Sequence, residues 1–261
     1  MSNPLDALFA RCRDEGRAAL IGYLPTGYPS YDGSIEAMLA MVEGGVDAIE
    51  VGVPYTDPGM DGPLIQVAVD IALRGGSRVA HVFDAVRTLS PHVPTVVMGY
   101  WNPIEKHGQA RFAADLKAAG GAGAITPDLI PEEAQPWVEA AYAEDLAPVF
   151  LVAPSSTDER IRVVGRTNRG FVYAASTMGV TGTRAGLSDR AEELVERTRK
   201  LTPLPVCVGL GVSDGAQAAG VARYADGVIV GSALVRAVEG GPEAVRRLTE
   251  ELAAGVRQGR S

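Results

Sequence analysis

Pro205-Val206-Cys207-Val208-Gly209-Leu210-Gly211-Val212-Ser213 and, further along, Asp226-Gly227-Val228-Ile229-Val230-Gly231-Ser232 share one design, a short apolar run that ends on glycine. Each reads as a buried parallel strand, apolar on both faces, as expected where one face fills a barrel and the other lies beneath helices. Working outward, six more such runs precede them, at 18–24, 46–53, 94–100, 121–126, 147–152 and 170–175. Helical patterns lie between, among them 31–43, 111–119, 131–143, 189–199 and 242–252, several opened by Ser, Asp or Pro. A further helix at about 4–16 precedes the first strand and is placed to cap the barrel floor. Glycine pairs such as Gly44-Gly45, Gly75-Gly76 and Gly120-Gly121 mark the points where helices end and strands begin.

Alternation alone also permits an open doubly wound sheet. The length of 261 residues matches the roughly 250 of a barrel that folds as one unit. With no linker or composition shift, the expectation is α/β: a single (β/α)8 TIM-barrel domain spanning 1–261, with an extra N-terminal helix. Hydrophobic residues make up 46% and charged residues 21%, enough to bury a large core.

A formal net charge of −8 repels nucleic-acid phosphates and anionic lipid at long range, and no Lys/Arg cluster offsets it. Neither nucleic acid nor a membrane is an expected partner. Local attraction for a phosphate must therefore come from backbone N–H groups, helix N-termini or single arginines. Cys12 and Cys207 are too few and too far apart for a disulfide framework, and the charged N-terminus does not resemble a signal peptide; a cytoplasmic setting is expected.

In a barrel the chemistry belongs on the loops that follow the strands. Three of these are glycine-rich: Gly179-Val180-Thr181-Gly182, Gly209-Leu210-Gly211-Val212-Ser213 and Gly231-Ser232. Glycine lets main-chain N–H groups approach phosphate oxygens, and Ser232 adds a hydroxyl at a helix start. Glycines also make plain tight turns, but three such sites at the late strand ends favour a phosphate grip.

The second run reads Asp47-Ala48-Ile49-Glu50-Val51-Gly52-Val53 and sets Glu50 among apolar neighbours inside a strand. Burying a carboxylate is costly, which predicts a raised pKa suited to proton transfer; the alternative is a Glu paired with a structural arginine. The loop that follows, 54–63, carries Asp57 and Asp61. Spacing alone does not choose between them: either serves a turn or a helix cap, or faces substrate. An acid of raised pKa beside an ionised carboxylate suits cleavage of a carbon–carbon bond next to an aromatic amine. The three lysines, Lys106, Lys117 and Lys200, all lie outside strands, which argues against a Schiff-base aldolase. His81, His92 and His107 show no ligand pairing, and no metal site or cofactor is expected.

The segments 49–58, 61–66 and 179–182, with 98–103, 127–133 and 209–213, together resemble the tryptophan synthase alpha chain family across the whole length. The resemblance implies a cofactor-free lyase that splits indole-3-glycerol phosphate into indole and glyceraldehyde 3-phosphate by a retro-aldol reaction and passes indole to a beta chain, as part of an α2β2 heterotetramer. It implies that Glu50 protonates the indole ring carbon and that Asp61 holds the indole N–H as positive charge develops. Tyr173 would line the pocket, with Tyr23 and Tyr100 around the indole. Gly182, Gly211, Gly231 and Ser232 would bind phosphate, and Thr181 would meet the loop Asp when the site closes. Thr56, Gly59-Met60 and Ser176-Thr177-Met178 depart from well-known members. Two other functions remain compatible with the sequence, a stand-alone lyase releasing indole and a non-catalytic activator of a partner enzyme.

Overall fold

A computed structural model describes residues 3–175, 184–209 and 211–258. Nine parallel strands among these form the wall: β1 (Ala19–Pro25), β2 (Ala48–Gly52), β3 (Thr95–Met98), β4 (Gly123–Ile125), β5 (Ala147–Val149), β6 (Leu151–Val152), β7 (Val172–Ala175), β8 (Val206–Gly209) and β9 (Gly227–Val230). Hydrogen bonding runs in the order β5-β4-β3-β2-β1-β9-β8-β7-β6. Since β5 and β6 are the two halves of one apolar run, the sheet closes on itself as the expected (β/α)8 barrel.

Phe150 divides that fifth run, and Asn168 holds the seam together. The Phe150 N–H donates to Asn168 Oδ1 at 3.0 Å, and Asn168 Nδ2 donates to the carbonyls of Phe150 and Phe171, each at 3.0 Å. β5 therefore bonds only β4, and β6 bonds only β7. The buried carboxamide satisfies backbone groups that the change of direction leaves without a strand partner.

Helices surround the wall: α1 (Pro4–Asp14), α2 (Tyr31–Gly44), α3 (Pro63–Arg74), α4 (Val79–Leu89), α5 (Trp101–His107) and α6 (Gln109–Ala118). After them come α7 (Gln135–Ala143), α8 (Asp158–Thr167), α9 (Arg184–Arg199), α10 (Gly215–Ala222), α11 (Ser232–Ala237) and α12 (Gly241–Gln258). Gly75-Gly76 proves not to precede a strand. Gly76, at φ +83°, turns the chain from α3 into α4, so two helices share one connection. The expected 131–143 helix is broken, with a 3-10 turn over Pro131–Glu133 before α7, because Pro136 supplies no N–H to continue the first turn.

Strand side chains alternate between two cores. The inner one takes Ile21, Ala48, Val96, Val149, Phe171 and Ile229, and α1 closes it from below with Leu5, Leu8, Phe9 and Cys12. Asn3 pins that plug: its Oδ1 accepts from the Leu5 N–H, and its Nδ2 donates to the carbonyls of Ala122 and Asp145. Beside it the buried Asp47 carboxylate accepts from Arg17 Nη1 and Nη2 at 2.7 and 2.8 Å, and from the Leu20 N–H. The N-terminal end of the barrel is thus held by α1 and a buried ion pair, while the loops after the strands lie at the opposite end. Replacing Asn168 by Ala orphans three buried backbone groups; urea unfolding is expected to show a loss of about 2–4 kcal/mol. A loss below about 0.5 kcal/mol would mean that the wall closes without the carboxamide.

Candidate active site

At the C-terminal ends of the strands lies a cavity of about 180 Å³, lined by Tyr23, Glu50, Asp61, Tyr173, Gly211, Gly231 and Ser232, with Ile65, Met98, Leu151 and Ile229 among its apolar walls. Glu50 occupies the centre of β2, where the alternation that sends Ala48 inward sends Glu50 inward too. The residue is 1% exposed, and its Oε1 has no hydrogen-bond partner among the described residues. Burial pushes its carboxyl up to about 8, so the group carries a proton at neutral pH. Buried Arg17 pairs with Asp47, not with Glu50.

The loop after β2 resolves the choice between the two aspartates. Asp57 is exposed and accepts from Thr56 Oγ1 at 2.5 Å, engaged within its own turn. Asp61 lines the cavity. It does not cap α3, whose N-cap is Gly62 with no side-chain cap bond. Instead Tyr100 Oη donates to Asp61 Oδ2 at 3.2 Å and accepts from the Met60 N–H at 2.9 Å. Burial raises the Asp61 pKa while the tyrosine bond pulls it back, so the two carboxyls sit in unlike surroundings. Glu50 has burial without a donor; Asp61 has a donor. Tyr100 itself is absent from the cavity lining and acts on it through Asp61, packed against Tyr55 with ring centroids 5.4 Å apart. The family resemblance implies a place for it around the indole; the contact joining it to Asp61 crosses 39 positions, a separation that no local pattern signals.

Tyr23 faces Glu50 directly in the β1–β2 register, and Tyr173 pairs with Leu151 and Cys207. Both rings are fitted by glycine. A Cβ at Gly52 would lie 2.7 Å from Tyr23 Oη, and one at Gly209 would lie 2.5 Å from Tyr173 Oη. These two glycines therefore serve as sockets for tyrosine tips rather than as turns. Burial keeps both phenols protonated.

At the other side of the cavity Gly211 turns at φ +65°, a left-handed conformation suited to glycine, and Gly231-Ser232 leads into α11. The first amides of that helix have no intrahelical acceptor and so remain available to an oxygen ligand. Thr181 and Gly182 lie outside the described residues. The structure thus brings together Tyr23, Glu50, Asp61, Tyr173, Gly211, Gly231 and Ser232 as the lining of a single chamber.

Comparison with known proteins is consistent across the chain. The profile of the family described as tryptophan synthase alpha chain matches residues 9–259. The tryptophan synthase alpha chain of Mycobacterium ulcerans strain Agy99 is 58% identical over 258 residues, spanning 98% of this chain and 96% of that one. A solved structure of Mycobacterium tuberculosis tryptophan synthase is similar with a TM-score of 0.94 at 56% identity, covering 98% of this chain and 99% of that chain. Tryptophan synthase subunit alpha from Legionella pneumophila str. Paris gives 0.87 at 30% identity, with 99% and 98% covered. Substituting Gly209→Ala is expected to drive the Tyr173 ring toward the cavity and to cost about 1–3 kcal/mol. A crystal structure of that variant with Tyr173 unmoved would contradict the socket assignment.

Proposed function

The chain belongs to the tryptophan synthase alpha chain family, and on that premise we propose that Glu50 is the proton donor, and Asp61 the electrostatic partner, of its reaction. As a member of this family it is the lyase subunit that cleaves indole-3-glycerol phosphate to indole and glyceraldehyde 3-phosphate in tryptophan biosynthesis, and it works with a beta chain. The observation that carries the residue assignment is the buried Glu50 carboxyl, with one oxygen unsatisfied, in the same chamber as Asp61 and the glycine amides.

Cleaving the bond between the indole ring and the glycerol chain requires the ring carbon to gain a proton. Glu50, protonated at neutral pH, gives its proton to that carbon, and positive charge moves onto the ring nitrogen. The Asp61 carboxylate accepts the indole N–H and stabilises that charge. Glu50, now a carboxylate, takes the proton of the adjacent chain hydroxyl. The carbon–carbon bond breaks, its electron pair returns to the ring, and the hydroxyl carbon becomes the aldehyde of glyceraldehyde 3-phosphate. Glu50 ends protonated as it began, so one residue serves as acid and then as base.

Tyr23 and Tyr173 flank the indole, and the amides at Gly211, Gly231 and Ser232 hold the phosphate, joined by Gly182; Thr181 meets Asp61 as the site closes and excludes water. Exposed Met60 and Ile130, in the loops after β2 and β4, offer apolar contact area for a beta chain. The assembly is proposed as an α2β2 heterotetramer in the cytoplasm. Among the described residues no helix is long and apolar enough to cross a membrane.

Glu50→Gln is expected to keep the fold and phosphate-ligand binding while lowering kcat roughly 10²–10⁴-fold; near-normal turnover would remove Glu50 from the chemistry. Because the donor must be protonated, kcat/KM of the parent is expected to fall as pH rises through about 8. Tyr100→Phe takes away the donor that restrains the Asp61 pKa, so the acidic limb of the same profile is expected to move to higher pH. An unshifted limb would mean that Tyr100 does not tune Asp61.

A further inference from the structure

Above the phosphate end the chamber continues. A second cavity, of about 440 Å³, shares Gly211 and Ser232 with the first and extends between Val212, Ser213, Ala237 and Leu248 to Arg236. We propose that Arg236 is the cation that neutralises the phosphate held at Gly211–Ser232, a binding and specificity residue that favours a phosphate dianion over an uncharged tail. This rests on the placement of the phosphate at those amides.

Three observations carry it. First, Arg236 stands four residues after Ser232 on α11, hence on the same helix face, one turn along. Helical side chains lean toward the helix N-terminus, so its guanidinium is directed back over Ser232 rather than away from it. Second, among the described residues lining the two joined cavities, Arg236 is the sole Lys or Arg, set against the carboxyls of Glu50 and Asp61. In a protein of net charge −8, glycine amides supply hydrogen bonds but no formal charge, and this side chain supplies one. Third, the guanidinium makes no ion pair or hydrogen bond among the described residues, whereas Arg246 on the following helix is clasped by Glu243 and Glu250. Its positive charge is therefore free to act on phosphate oxygens across the cleft. Its position at the solvent edge of the cleft makes the attraction dependent on salt.

The test is calorimetric binding of glycerol 3-phosphate to the parent, Arg236→Gln and Arg236→Lys proteins, at ionic strengths of about 0.02 M and about 0.3 M, together with steady-state kinetics on indole-3-glycerol phosphate. At low salt Arg236→Gln is expected to bind roughly three- to tenfold more weakly, to narrow to under about twofold at high salt, and to show the loss in KM rather than in kcat. Arg236→Lys keeps the charge, which is what the proposal assigns to this position, and is expected to stay within about twofold of the parent. Parent-like binding by Arg236→Gln at low salt overturns the inference, as does a Lys variant as weak as the Gln variant. If the parent itself fails to bind glycerol 3-phosphate, the phosphate site at Gly211–Ser232 falls and takes the inference with it. If the parent binds and Arg236→Gln matches it, only the role of Arg236 falls.

Discussion

The barrel is organised around the cost of placing one carboxyl group where water does not reach. Glu50 points into a wall of apolar side chains with one oxygen unbonded, and ionising it there exposes a charge to a medium that cannot solvate it. The group therefore holds its proton up to about 8. The linkage has a sign. Below the ordinary carboxyl range both folded and unfolded chains carry the proton. As pH rises toward 8 only the unfolded chain releases it, so the stability associated with the protonated group is lost progressively across that window. At neutral pH the residue thus works against the fold while holding a proton.

Much of the surrounding structure keeps that acid dry and aimed. The α1 plug, tied by Asn3, packs under the floor; the Arg17–Asp47 pair satisfies the other buried charge near the same strand, and among the described residues no Lys or Arg bonds Glu50. Gly52 and Gly209 give up side chains so that two tyrosine tips fill the upper layer. Asp61 is treated differently, lying on a loop and bonded by Tyr100. Burial raises both carboxyls, but only Asp61 has a hydrogen-bond donor that pulls it back, so the two sit in unlike surroundings within one chamber. Gly211, Gly231 and Ser232 line the same chamber, and Arg236 lines the cavity that adjoins it at Gly211 and Ser232.

The sequence announced most of this frame because parallel barrel strands are apolar on both faces and end at glycine. All eight runs are found within a few residues of their expected ends, and the leading helix plugs the floor as expected. Glu50 was legible for a related reason, since a carboxylate in such a run violates its pattern. What stayed hidden depends on contacts between distant positions. The break at Phe150 is set by Asn168 from another turn of the barrel. The choice between Asp57 and Asp61 is made by Tyr100, 39 positions from Asp61. Gly52 and Gly209 read as strand-end glycines, yet their smallness serves neighbouring tyrosines. Arg236 carries no signal in the sequence, and only the cavity it lines together with Ser232 distinguishes it.

The central claim, that Glu50 is a protonated acid at neutral pH, is tested most directly by titrating its carboxyl carbon by NMR in 13C-labelled protein, with the resonance assigned by its disappearance in Glu50→Gln. A midpoint near 8 is predicted. A midpoint in the ordinary glutamate range of about 4–5 would contradict the account, because Glu50 would then enter the reaction as a carboxylate with no proton to give.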